Sequence, residues 1–192
     1  MSLLAITAAI TIHEFSHALA ADRLGDPTPR LQGRLTLNPF VHLDWLGSVV
    51  VPLLLYLLPG NLIFGWAKPV PYNPYNLRGS KWGPAYVALA GPASNLIIAT
   101  IFGLALRFAL VPVVAGSLVI SLIVINLMLA VFNLMPIAPL DGSKVLFAVM
   151  PNSLAWLTDW WEKHQLLILI AFIFLLSSVD FLSGIVFGLL RL

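Results

Sequence analysis

Residues 3–21 read LLAITAAITIHEFSHALAA, an apolar run long enough for one membrane-spanning helix. Charged and helix-breaking residues follow at 22–27 and predict where that helix ends. Inside the run, residues 13–17 read HEFSH. An ionisable residue at the centre of a span costs about 2.5–3.5 kcal/mol on insertion scales, so this cluster indicates a functional site. The alternative is a polar cluster that only holds helices together.

The composition of the whole chain predicts a membrane protein. Of its 192 residues, 60% are hydrophobic and 9% are charged, whereas about a quarter are charged in soluble domains. We predict an all-α multi-pass membrane protein, a helical bundle of four to six membrane segments, because each span takes roughly 20 residues. It would form one membrane-embedded domain over 1–192, with a core at 3–145 and an interfacial segment and last span at 152–192.

The charged residues do not form a nucleic-acid-binding surface. Ten Lys and Arg residues are scattered singly, so they make no basic patch and instead act as topology signals. We therefore expect the protein to lie in the lipid bilayer of the cell membrane and to have no nucleic-acid partner. The sequence is also compatible with an oligomer. The chain has no Cys, which leaves His, Asp and Glu as the strong metal ligands.

Further apolar runs predict the remaining membrane segments. Spans cover 82–106 and about 117–134, and a last span covers about 166–189. Three Trp residues among polar ones at 155–165 indicate a segment at the membrane interface. The uncharged run at 45–67 is interrupted by prolines and a glycine, so it fits a short span or a re-entrant segment.

The spacing within HEFSH favours a metal site. His13 and His17 are four residues apart, about one helical turn, so both imidazoles can share one tetrahedral zinc ion. Glu14 stands beside them, where a carboxylate can take a proton from a metal-activated water and pass it to a leaving amine. We therefore predict one Zn²⁺ per chain, with Glu14 as the catalytic base.

A catalytic zinc needs a third protein ligand. Asp141 is the best candidate, because prolines and a glycine in FNLMPIAPLDG, residues 132–142, free irregular backbone at membrane depth. A helix-terminating turn is the alternative role for Asp141, and Asp180, which interrupts the last span, is a second carboxylate that is hard to dismiss. The other aspartates fall in loop or interfacial stretches, where solvated or helix-end roles are expected: Asp22, Asp26, Asp44 and Asp159.

Several motifs together resemble the site-2 protease family of intramembrane zinc metalloproteases. In the family's order they are HEFSH at 13–17, GDPT at 25–28, GRLTLNP at 33–39, GWAKPVP at 65–71, AGPASN at 90–95 and NLMPIAPLDG at 133–142. The resemblance covers about residues 10–145 and is strongest to compact prokaryotic members without a PDZ or appended regulatory domain. It implies a peptidase domain in which His13, His17 and Asp141 bind zinc and Glu14 activates water. The implied substrates are membrane proteins, cleaved in or near their transmembrane segments.

A metal-binding or metal-transporting membrane protein without hydrolysis is the competing interpretation. Glu14 discriminates between the two, since a transporter has no need of a proton acceptor between two ligand histidines. The other histidines, His42 and His164, are interpreted as interfacial side chains rather than as ligands.

The two metal-binding motifs constrain the topology. His17 lies six residues before Arg23, about 9 Å along the helix, whereas His13 lies about 18 Å from Met1. The histidine ligands are therefore nearer the Arg23 end of their helix. If Asp141 reaches the same ion, the intervening chain crosses the membrane an even number of times, so 45–67 must turn back. Most Lys and Arg residues then share one face, which the positive-inside rule makes cytoplasmic, and the site lies nearer that face. Arg107 and Arg191 lie toward the other face.

Polar residues in the later spans are candidates for catalytic support. Asn126 and Asn133 are seven residues apart, about two turns, so both can face the bundle interior, and Asn95 lies in the partner span. Interhelical hydrogen bonding is favoured for these amides over direct stabilisation of an oxyanion. Asn133 is the strongest candidate for direct help.

The loop segments supply candidates for substrate binding. RLTLN at 34–38 and GWAKPVP at 65–71 can form a small membrane-associated β element whose free edge holds an extended peptide. Gly65, Trp66 and Lys68 would then contact the substrate. A simple loop fits the prolines equally well.

Overall fold

The structure is a computed structural model that describes residues 2–57, 65–177 and 188. Within these ranges it contains helices and loops but no strand, which confirms the all-α prediction. In chain order the helices are α1 (Ser2–Arg23), α2 (Thr28–Leu31), α3 (Pro39–His42), a π-helical segment (Trp45–Val50) that continues into α4 (Val51–Leu57), α5 (Trp82–Arg107), α6 (Gly116–Asn133), α7 (Asp141–Val149), α8 (Ala155–Lys163) and α9 (Gln165–Ser177).

Three of the described helices are long and apolar enough to cross a membrane: Leu3–Arg23, Trp82–Arg107 and Val113–Asn133. Two shorter apolar helices lie at Trp45–Leu54 and Gln165–Phe174. The total number of crossings and the single-domain organisation stay predictions. The end of the predicted last span, with Asp180 and Arg191, lies outside the described residues.

α1 packs against α5 through a stripe of residues at intervals of four. Ala5, Ala9 and Ala21 are buried in this stripe together with His13 and His17. Residues four apart share one helix face, and small side chains let two membrane helices approach closely. The stripe therefore brings both histidines directly against α5.

α6 packs on the other part of α5 and closes the bundle with apolar side chains. Ala99 of α5 forms a buried cluster with Val119, Ile123 and Leu127 of α6. This cluster lies toward the Arg107 end of α5, away from the histidines.

The segment at 45–67 turns back, as the topology argument requires. The Lys68 N–H donates to the His42 carbonyl at 2.9 Å, and the Trp66 N–H donates to the Gly47 carbonyl at 3.1 Å. The Ser48 hydroxyl donates to the Trp66 carbonyl at 2.9 Å. The two ends of the segment are therefore adjacent, whereas its middle at 58–64 lies outside the described residues.

Hydrogen bonds also bring together the helix ends that carry the cations. The Arg78 N–H donates to the Leu24 carbonyl at 2.9 Å, just after α1. Lys81 Nζ, just before α5, donates to the Met150 carbonyl at 3.3 Å. Arg107 stands at the opposite end of α5, roughly 37 Å along the helix axis. This arrangement agrees with a bundle that has one cationic face.

The predicted β element is wrong, because residues 34–38 curl back on themselves. The buried Arg34 guanidinium donates to the Val41 carbonyl, and His42 Nε2 donates to the Thr36 carbonyl at 2.9 Å. These side chains occupy carbonyls that a paired strand would need. His42 is itself only 1% exposed, so its side chain is held inside this loop, and its interfacial position stays a prediction.

Asp26 of the GDPT motif joins two loops. Its carboxylate is fully buried and accepts hydrogen bonds from Thr28, Asn73 and Asn76. Burial acts to raise the pKa of Asp26, but these donors hold it below the ordinary value of an aspartate. The expectation of a solvated or helix-end carboxylate is wrong here, because enough donors compensate for the lost water.

Candidate metal centre

The three predicted metal ligands converge at one point. His13 Nε2 lies 3.0 Å from His17 Nε2, and Asp141 Oδ2 lies 3.3 Å from each of these nitrogens. Tetrahedral ligands bonded to zinc at about 2.0–2.1 Å stand about 3.3 Å from one another. The triangle therefore has the size that one zinc ion requires. It is the one group of this kind among the residues that the structure describes.

Hydrogen bonds on the far side of each imidazole determine which nitrogen carries its proton when the ring is neutral. His17 Nδ1 lies 2.8 Å from the Val87 carbonyl oxygen, and His13 Nδ1 lies 2.6 Å from Asn95 Oδ1. Both partners are carbonyl oxygens, which only accept, so in the neutral imidazole each Nδ1 carries the proton and each Nε2 presents a lone pair.

The resulting donor set fits a cation. Two nitrogen lone pairs and a carboxylate oxygen face one another, and Asp141 Oδ2 is buried with no hydrogen-bond partner among the described residues. Three buried acceptors in contact repel one another unless a positive charge lies between them. His13, His17 and Asp141 thus fit zinc both in size and in chemistry.

A glycine of the AGPASN motif makes room for the two imidazoles. A Cβ atom at Gly91 would lie 2.4 Å from His17 Nε2 and 2.6 Å from His13 Cε1. Val87 and Asn95, which hold the two Nδ1 atoms, lie one turn before and one turn after Gly91 on the same face of α5. Val87 and Gly91 were not identified from the sequence, although a glycine within a span indicates a close approach.

The LDG motif places Asp141 by a second close approach. A Cβ atom at Gly142 would lie 2.2 Å from the Leu134 carbonyl oxygen and 2.4 Å from that of Met135. The chain after α6 therefore folds directly onto the start of α7, which puts Asp141 within reach of α1. The predicted break at the prolines is what allows this turn.

Asn95 and Asn126 belong to the surroundings of the candidate site, whereas Asn133 bonds elsewhere. Asn95 contacts His13, and its Nδ2 donates to Asn126 Oδ1 at 2.7 Å. This is an interhelical bond, the role favoured from the sequence. Asn133 Nδ2 donates to the Leu129 carbonyl of its own helix at 2.9 Å. The catalytic roles of all three amides stay predictions.

The predicted substrate contacts lie beside the segment that turns back. A Cβ atom at Gly65 would lie 2.7 Å from the Gly47 carbonyl oxygen, and one at Gly47 would lie 2.3 Å from the Trp66 ring. Lys68 is exposed. Gly65 and Trp66 therefore pack closely on this segment, and their contact with substrate stays a prediction, as does that of Lys68.

Comparisons with known proteins identify relatives of the chain. The family model for Peptidase family M50 matches residues 111–177. The candidate zinc metalloprotease YwhC of Bacillus subtilis is 37% identical over 158 residues, which cover 78% of this chain and 68% of YwhC. The candidate zinc metalloprotease Rip2 of Mycobacterium tuberculosis is 33% identical over 139 residues, 71% of this chain and 52% of Rip2. No solved structure matches the chain significantly.

The apolar helices and these relatives define a membrane protein that is a zinc metalloprotease. More narrowly, the chain belongs to the site-2 protease family, described as Peptidase family M50. The chain spans about two thirds of the length of YwhC and about half that of Rip2.

Proposed function

We propose that this chain hydrolyses peptide bonds in or near the transmembrane segments of other membrane proteins. The observation that carries the proposal is the position of the ligand triangle within the bundle. His13 and His17 are buried on α1, a helix of membrane-spanning length, and Asp141 is brought to them by the broken chain after α6. A peptide bond must therefore reach the depth of the bundle to meet this site.

Each residue of the candidate site has a defined task. His13, His17 and Asp141 hold zinc, which when bound polarises a carbonyl and makes water more acidic. Glu14 takes the proton of the attacking water and delivers it to the leaving amine. Glu14 is half-buried, and among the described residues it has no hydrogen bond or ion pair, so its oxygens are free to accept that proton.

The site lies nearer the cationic face of the bundle. His17 is six residues before Arg23, roughly 9 Å of helix, and Leu24 bonds with Arg78 at this same end. The positive-inside rule makes this face cytoplasmic. We place the active site on the cytoplasmic side of a multi-pass protein of the cell membrane.

A cleft of about 340 Å³ beside α7 supports a polypeptide substrate. Lys144, one turn after Asp141, lines this cleft together with Tyr72 and Lys81. Burial raises the pKa of the Tyr72 phenol, and the negative charge of Asp141 raises it further, which puts this end of the cleft within electrostatic reach of the candidate site.

The structure favours hydrolysis over metal transport. A transporter needs polar groups along a whole path across the membrane. Here the hydrogen-bonded polar residues that continue from His13 into the bundle reach only as far as Asn126. Beyond them, toward the opposite face, the apolar cluster of Ala99, Val119 and Ile123 lies between α5 and α6. The described part of the bundle is therefore closed to a metal ion on that side.

Reconstitution of the purified chain in lipid vesicles tests the proposal. We expect cleavage of co-reconstituted single-span proteins in or near their spans, loss of cleavage when a chelator removes zinc, and recovery when zinc is restored. A soluble unfolded polypeptide without a span serves as the control and should stay intact. Zinc uptake into the vesicles without any cleavage would instead establish the transporter.

A further inference from the structure

We infer that Asn126 of α6 selects the zinc-binding tautomer of His13, with which it shares no hydrogen bond, by fixing the amide orientation of Asn95 between them. The inference rests on the proposed role of His13 as a zinc ligand. It makes Asn126 and Asn95 positioning residues.

Three hydrogen bonds connect α6 to the ligand. Asn126 Nδ2 donates to the Leu122 carbonyl at 2.8 Å, Asn95 Nδ2 donates to Asn126 Oδ1 at 2.7 Å, and His13 Nδ1 lies 2.6 Å from Asn95 Oδ1. Both asparagines are fully buried, so water does not compete for these groups.

The order of the bonds fixes every donor and acceptor. The Leu122 carbonyl can only accept, so it holds the NH₂ group of Asn126 and turns Asn126 Oδ1 toward Asn95. That oxygen in turn holds the NH₂ group of Asn95, which leaves Asn95 Oδ1 facing His13. A neutral imidazole must then carry its proton on Nδ1, and Nε2 is left free to bind metal.

The two histidines differ in how they are held. His17 bonds to the carbonyl of Val87, a main-chain group that the helix α5 keeps in place. His13 bonds to a side-chain amide, whose two ends have nearly the same shape and can exchange by rotation. A rotated Asn95 would present NH₂ to Nδ1 and move the imidazole proton to Nε2, which blocks metal binding. The bond from Asn95 Nδ2 to the Ala9 carbonyl, at 3.4 Å, is too long to hold the amide well.

A direct measurement of the tautomer distinguishes this role from simple helix packing. In metal-free protein labelled with ¹⁵N-histidine, NMR chemical shifts report which ring nitrogen carries the proton. We expect His13 of the unmodified chain to be protonated on Nδ1. Asn126→Leu and the smaller Asn126→Ala should both shift His13 toward the Nε2-protonated form and weaken zinc binding about 10-fold to 100-fold.

Two variants serve as controls. Asn126→Asp should keep the tautomer, since a buried, protonated carboxyl group reproduces the same donor and acceptor. Asn133→Leu removes an amide from the same helix, one that also bonds to a carbonyl of its own helix, and should leave His13 unchanged. His17 reports on folding in every spectrum, because its Nδ1 partner is a main-chain carbonyl.

An unchanged His13 tautomer in both Asn126→Leu and Asn126→Ala, with His17 also unchanged, would overturn the inference. A shifted His13 together with a shifted His17 would overturn it too, since the effect would then be general loss of packing. If the unmodified chain shows the Nδ1 tautomer but binds no zinc, the proposed function fails while the positioning of His13 stands.

Discussion

Replacing Glu14 with Gln is expected to abolish peptide hydrolysis while one zinc ion per chain stays bound. The amide has nearly the shape of the carboxylate but cannot accept the proton of the attacking water, and general bases contribute typically about 10²-fold to 10⁴-fold to rate. Because Glu14 is not one of the three converging ligands, zinc should be retained. Cleavage in lipid vesicles and zinc content by atomic absorption, on the same preparation, measure both quantities.

Asp22→Asn is the matched control for Glu14→Gln. It makes the same change from carboxylate to amide on the same helix, about two turns away, at a residue that pairs with Arg30 outside the site. Activity within a few-fold of the unmodified chain is expected for this control. Cleavage by Glu14→Gln at the unmodified rate would show that Glu14 is not the base.

Replacing Gly91 with Ala is expected to weaken zinc binding strongly. The new methyl group would lie 2.4 Å from His17 Nε2 and 2.6 Å from His13 Cε1, closer than such atoms can approach. Either the imidazoles rotate out of the triangle or α1 moves away from α5, and both changes separate the ligand atoms. We expect zinc affinity to fall on the order of 100-fold or more. This is at or above the largest losses that follow from mutation of residues that support metal ligands.

Gly103→Ala is the matched control for Gly91→Ala. Gly103 lies on the same helix, and a Cβ atom there would meet nothing within 4 Å. Zinc binding by this variant should equal that of the unmodified chain, and the added helix propensity should stabilise α5 slightly. Unchanged zinc affinity in Gly91→Ala, measured by competition with a chelator, would contradict the close approach of α5 to the site.

Local patterns predicted much of the site and the long helices. The four-residue spacing of His13 and His17 depends only on helix geometry, and the apolar runs depend only on hydrophobicity. The turn of 45–67 was also predictable, because two ligands of one ion must lie on the same side of the membrane. The hydrogen bonds at both ends of that segment agree with this constraint.

Contacts between distant residues could not be predicted from local patterns. The pairing of His13 with Asn95 depends on how α1 and α5 pack, whereas the sequence alone ranked Asn133 first among the three amides as a candidate for direct help. RLTLN has the alternation of a strand, but Arg34 and His42 bond to nearby carbonyls and impose a loop. Nothing in the sequence around Asp26 indicates that Asn73 and Asn76, about 50 residues later, donate hydrogen bonds to it.

Zinc K-edge X-ray absorption of the purified, unmodified chain is the most direct test of the claim that His13, His17 and Asp141 hold the metal. The geometry predicts one zinc per chain with two imidazole nitrogens at about 2.0–2.1 Å and oxygen atoms in the remaining positions. A spectrum with no imidazole ligand, or with three or more, would contradict it.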